Sequence, residues 1–118
     1  MLIYFEMISE NMNINFKVFG KKEGNVLIFP DKSTPNTMIN VTIGDNEIII
    51  ERTGNVNMRQ VFKLKEKMEG YYKNNLGLEF KTASFTKELY VGENSINVLY
   101  EHYFENEWQS SNKLKIIF

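Results

Sequence analysis

Residues 47–63 run Glu-Ile-Ile-Ile-Glu-Arg-Thr-Gly-Asn-Val-Asn-Met-Arg-Gln-Val-Phe-Lys, and the way this stretch folds back on itself decides the architecture. Gly54 and Asn55 supply turn chemistry between two apolar-rich runs. A turn confined to Gly54 and Asn55 would set Ile50 against Arg59. A loop from Gly54 to Val56 instead sets Ile50 opposite Gln60, Ile48 opposite Phe62 and Arg52 opposite Met58. The other face then pairs Glu51 with Arg59, Glu47 with Lys63 and Ile49 with Val61. Each opposite-charge pair contributes only about 0.2–1 kcal/mol. Their agreement with one coherent apolar face is decisive, because a one-residue slip turns every side chain to the wrong side.

The same period of two recurs outward from this hairpin, and no long stretch has the 3.6-residue period of a helix. Met12, Ile14, Phe16 and Val18 alternate with Asn13, Asn15 and Lys17; Ile96, Val98, Tyr100, His102 and Phe104 alternate with Asn97, Glu101 and Glu105. A turn at Asp45 and Asn46 sets Ile43, Val41 and Ile39 beside Ile48, Ile50 and Arg52. A loop from Lys65 to Lys67 sets Leu64 opposite Met68, Phe62 opposite Gly70 and Gln60 opposite Tyr72. A loop from Glu105 to Glu107 sets Phe104 opposite Trp108, His102 opposite Ser110, Tyr100 opposite Asn112 and Val98 opposite Leu114. Gly20 to Asn25 reads as a turn, and Pro30 to Asn36, bracketed by the two prolines, as a mobile loop. Consecutive hairpins with one shared inner face make a meander. The expectation for residues 1–118 is one all-β domain, a small closed antiparallel barrel of about eight to ten strands, since closure removes exposed edges.

Composition narrows the function classes. A net charge of −1 with Lys and Arg scattered along the chain argues against a nucleic-acid binder, which works through a basic patch. The chain has no cysteine, so disulfides, zinc–thiolate sites and cysteine nucleophiles are excluded. No apolar run approaches the ~20 residues of a membrane-spanning helix. The opening Met1-Leu2-Ile3-Tyr4-Phe5-Glu6 reads as a strand rather than a signal peptide. Cytoplasmic residence with no membrane partner is the expectation.

The inner faces are not wholly apolar. Arg52, Gln60, Tyr72, Tyr100, His102, Ser110 and Asn112 all point inward in these registers. A buried guanidinium must be paired or hydrogen-bonded. Gln60 and Tyr72 are its nearest partners by register; a ligand carboxylate or phosphate could serve it bidentately. The plainer reading is an arginine that plugs one barrel end or snorkels to water. His102, the only histidine, reads as a core residue hydrogen-bonded to Ser110. A catalytic pair would need a triad acid and an oxyanion hole that nothing here supplies. One histidine and no cysteine leave no metal set, and no phosphate loop or dinucleotide fingerprint points to a cofactor. Tyr71, Tyr90 and Tyr103 fall on the outer face, where they hint at a protein interface or homodimer.

The run Glu51-Arg52-Thr53-Gly54-Asn55-Val56-Asn57-Met58-Arg59-Gln60-Val61-Phe62, followed by Tyr72-Lys73, Gly77 and Glu79-Phe80-Lys81-Thr82, resembles the YwiB-like calycin β-barrel proteins of bacteria. The pattern Ile96-x-Val98-x-Tyr100, ending in Leu114-x-Ile116, fits as well. The resemblance covers most of residues 38–118, and Arg52, Met58, Gln60, Phe62, Tyr72 and Thr82 stand at family-typical positions. It departs at Val26 to Phe29, which run into Pro30 and Asp31 where relatives continue with tyrosines and acids. It implies a lipocalin-like barrel without an established activity. The reading of the residues adds a small-molecule site. Arg52, Gln60 and Tyr72 would orient a polar or anionic group. Phe62, Tyr100 and Trp108 would enclose its apolar part, with His102 beside them. The alternative is a filled scaffold or homodimeric barrel without a ligand.

Overall fold

The computed structural model describes residues 1–118 as eleven strands: β1 (Leu2–Ser9), β2 (Met12–Phe19), β3 (Lys21–Glu23), β4 (Val26–Pro30), β5 (Thr37–Ile43), β6 (Glu47–Gly54), β7 (Asn57–Lys63), β8 (Lys67–Lys73), β9 (Glu79–Val91), β10 (Ser95–Phe104) and β11 (Glu107–Ile117). They form one antiparallel, nearly closed, barrel-shaped sheet in the order β2-β1-β11-β10-β9-β8-β7-β6-β5-β4-β3. There are eleven strands rather than eight to ten, partly because Lys21–Glu23, expected as turn, pairs with Val26–Ile28.

The two ends of the strand order, β2 and β3, are consecutive in the chain and joined only by Gly20. One bent run therefore belongs to both edges: its first half pairs with β1 and its second with β4. A Cβ at Gly20 would lie 2.6 Å from the Ile28 carbonyl oxygen, 2.7 Å from Ile3 Cδ1 and 2.8 Å from Phe29 Cβ. Only glycine lets the edges approach this closely. Beyond the bend, β2 and β4 share no ladder, and a seam opens between them.

The hairpin at Gly54 has the expected register throughout, from Glu47 opposite Lys63 to Arg52 opposite Met58. The pairing of β5 with β6 also matches. Ion pairs close elsewhere, however, at Lys21–Glu23, Arg52–Asp31, Lys81–Glu69 and Lys87–Glu101. The inward rows pack an apolar half. Phe5 stacks on Phe16 at 5.2 Å between ring centroids, Phe29 lies 6.2 and 6.5 Å from them, and Phe62 meets Tyr100 at 4.6 Å.

Two local expectations need correction. The β7–β8 ladder spans only Asn57 to Arg59 and places Tyr72 opposite Met58, not Gln60. Lys65 turns with a φ of 62°, and Gly70 lies so close to the Arg59 carbonyl that a Cβ there would overlap it. The β10–β11 turn has two residues, Glu105 and Asn106, with φ of 49° and 68°. This left-handed pair fits the strand twist. It sets Tyr103 opposite Trp108, and a bulge then restores His102 opposite Ser110 and Tyr100 opposite Asn112. The loop expected after β4 is a loop, folded around Asp31. Its N–H donates to the Thr37 carbonyl at 2.9 Å, and its Oδ1 accepts from Ser33 N–H and Oγ–H at 2.9 and 2.5 Å. Asn55 N–H also donates to the Asn36 carbonyl, tying this segment to the β6–β7 turn.

Gly20→Ala is expected to destabilise the fold by about 1–3 kcal/mol through overpacking. Urea unfolding followed by tryptophan fluorescence measures this, and an unchanged midpoint would remove Gly20 as the closing joint.

Candidate functional site

A cavity of about 380 Å³ opens at the barrel end that carries the β1–β2 and β10–β11 turns. Its apolar wall includes Met7, Met12, Ile14, Met58 and Phe104, and its polar wall Arg52, Gln60, Tyr100, His102 and Asn112. A smaller cavity of about 230 Å³, lined by Met58, Tyr72, Thr82, His102 and Phe104, shares three of these residues. The seam explains why this end stays open. Met12 and Ile14 of β2 line the cavity here, with no ladder from β2 to β4 to draw the edges together.

Arg52 sits near the end of β6, its side chain 14% exposed, with Nε 3.4 Å from Oδ2 of the fully buried Asp31. Neither atom makes an aligned hydrogen bond, so the contact is an ion pair. Gln60 and Tyr72, the partners expected from register, are replaced in this role by Asp31. Below, the Tyr100 hydroxyl accepts from Asn112 Nδ2 at 3.2 Å and donates to Met7 Sδ at 3.5 Å. Burial pushes that hydroxyl's pKa up, while the Asn112 hydrogen bond, the nearby Gln60 amide and the Arg52 charge pull it the other way. Ser110 Oγ–H donates to Asn112 Oδ1 at 2.7 Å rather than to His102. His102 is consequently left with a buried, unpartnered Nδ1, and burial pushes its pKa down. Gln60 is buried, and its Oε1 receives no donor.

Of the residues read from sequence, Arg52, Gln60, Tyr100 and His102 come together in the main cavity. Tyr72 lies in the smaller one, and Phe62 is buried beneath Tyr100 as packing. Trp108 does not join them: the two-residue turn puts it on the outer face, 54% exposed, with Nε1–H donating to Glu101 at 3.4 Å. Asp31 was missed altogether, and its only sequence signal is a lone acid between two prolines. Met58 was findable, since the Gly54 hairpin already sets it opposite Arg52.

A family model described as a domain of unknown function (DUF1934) matches residues 6–116. The structure is similar to the crystal structure of ywiB protein from Bacillus subtilis, with a TM-score of 0.74 and 16% identity, over 98% of this chain and 87% of that one. No curated protein matches the chain.

Arg52→Met alone is expected to cost about 3–5 kcal/mol, because it strands the buried Asp31 carboxylate. The double variant Arg52→Met with Asp31→Asn should recover most of this in a denaturant-based double-mutant cycle. Additive losses would show that the pair does not couple. For His102, the folded state holds fewer protons than the unfolded state, so stability falls as pH drops below the unfolded value of about 6.5. Unfolding midpoints at pH 7.5 and 5.5 should differ more for wild type than for His102→Gln.

Proposed function

The chain belongs to the DUF1934 family, and we propose that it is a calycin-like, non-catalytic barrel that binds one small molecule in its mouth cavity. The reading rests on one observation: a cavity of about 380 Å³ in which Met7, Met12, Ile14, Met58 and Phe104 stand around a convergent polar group of Arg52, Gln60, Tyr100, His102 and Asn112. Small-ligand sites combine this size and a largely apolar lining with a few convergent polar groups. Outer-face depressions of similar volume, such as that at Glu88 to Tyr90 and Asn97 to Leu99, contain none of these residues. The Ser110 hydroxyl is directed at Asn112, which weighs against a Ser–His nucleophile. A cysteine-free chain needs no oxidising compartment and suits the cytoplasm.

The alternative of a homodimeric or scaffold barrel draws on the exposed Tyr71 and Tyr90. The Tyr103 ring is already capped by the Lys67 ammonium, 3.9 Å from its centroid.

A fragment library screened at millimolar concentration against methyl-labelled protein tests the ligand reading. Hits are expected to move the Met7, Met12 and Met58 resonances. Met58→Trp, which fills the cavity, should weaken those hits by at least about tenfold, or 1.4 kcal/mol. Hits that leave the three methionines unmoved, or no hits at all, would overturn it.

A further inference from the structure

We infer that the head group taken by the mouth cavity is a carboxylate carried on an apolar chain and held by the free end of the Arg52 guanidinium, rather than a neutral amide or a phosphate dianion. This rests on the reading of the mouth as a ligand site and specifies its chemistry.

Two observations carry it. First, most of the guanidinium has no use within the protein. The Arg52 side chain keeps 14% exposure, and it lines the mouth and no other cavity. Of its guanidinium nitrogens only Nε is buried, 3.4 Å from Asp31 Oδ2. Nη1 and Nη2 are not enclosed by protein, and no side-chain hydrogen bond of the structure engages them. Their N–H donors therefore open on the cavity without an acceptor. The two oxygens of a carboxylate match such an edge in parallel, charge-assisted bonds, which are roughly twice as strong as neutral ones. A neutral amide brings a single acceptor and no charge.

Second, the wall supplies one positive charge and no negative one. None of the residues lining the mouth is Asp or Glu, and none besides Arg52 is Lys or Arg. Burial lowers the pKa of His102 and raises that of Tyr100, so both are neutral near pH 7. Asp31 stands outside the lining, on the Nε side of the guanidinium, with Oδ1 already taken up by Ser33 N–H and Oγ–H. A ligand oxygen on the Nη edge lies closer to the cation than to that carboxylate, so attraction exceeds repulsion. The balance suits a single negative charge. A phosphate monoester carries about −1.5 to −2 at pH 7, and its surplus would lose hydration with no second cation to face it. The thioethers of Met7, Met12 and Met58 adapt to the apolar chain.

The test titrates hexanoate, hexanamide and hexyl phosphate at pH 7.5 against methyl-labelled wild-type protein. Hexanoate is expected to bind at least about tenfold more tightly than either of the others, the equivalent of one good charge-assisted hydrogen bond. The double variant Arg52→Met with Asp31→Asn removes both charges together, and its methyl spectrum reports whether it is folded. It should bind hexanamide as wild type does and lose the preference for hexanoate. A smaller advantage of hexanoate in wild type, or one that survives in the folded double variant, would overturn the inference while leaving the ligand site standing. If none of the three probes moves the Met7, Met12 or Met58 resonances of wild type, the ligand site itself fails and the inference falls with it.

Discussion

The barrel depends on the single bend at Gly20. Every other joint between neighbouring strands is an ordinary antiparallel ladder, but the two edges of the sheet meet only because one continuous run serves both. The bend brings Ile3 Cδ1, the Ile28 carbonyl and Phe29 Cβ to within 3 Å of where a side chain would begin. After it β3 pairs with β4, and before it the near part of β2 is held to β4 where Phe16 meets Phe29 over Phe5. Farther from the bend, at Ile14 and Met12, no ladder joins the two edges and the cavity takes their place. The packed half and the open half of this molecule are thus two outcomes of one local constraint, and the cavity lies where closure stops.

What fills the boundary between the halves is polar. Tyr100 stands on Phe62 and holds Asn112 and Gln60 around its hydroxyl, and Asn112 in turn takes up Ser110. Arg52 would be an expensive residue here without a counter-charge. The segment after β4 supplies one by wrapping around the Asp31 carboxylate. One of its oxygens orders the loop through Ser33 while the other faces the guanidinium. The same side chain therefore shapes a loop and sets the electrical character of the cavity.

Much of this was legible in the chain, for reasons that residues make clear. The hairpin at Gly54 could be registered to the residue because charge pairing and apolar alternation agree only one way. That parity put Arg52, Gln60, Tyr100 and His102 inside, where they are. Trp108 was misplaced because a tight turn at Glu105 and Asn106, followed by a bulge, shifts only the residues between them. Alternation carries no trace of such a compensated slip. Tyr72 was misplaced by two positions because β8 pairs with β7 over only three residues, offset by two from the register a three-residue loop would give. Asp31 was invisible for a different reason. Its role depends on where a loop lands in space, and strand periodicity says nothing about loops. The loop expected there is a loop, and the Asp31–Ser33 hydrogen bonds fold it on itself.

The strand order also has a bearing on how the molecule assembles. All ladders but one join strands consecutive in the chain; the exception ties β1 to β11, with Tyr4 opposite Ile117. Local hairpins can zip early and cheaply, whereas that one joint must gather the whole polypeptide. Loop-closure entropy grows only slowly with length, about 0.6 kcal/mol per doubling, but it is spent before the joint gives anything back. The transition state for folding would then be governed by the docking of the first hairpin onto the last strand, and the barrel's kinetic persistence by how seldom that one lengthwise suture reopens.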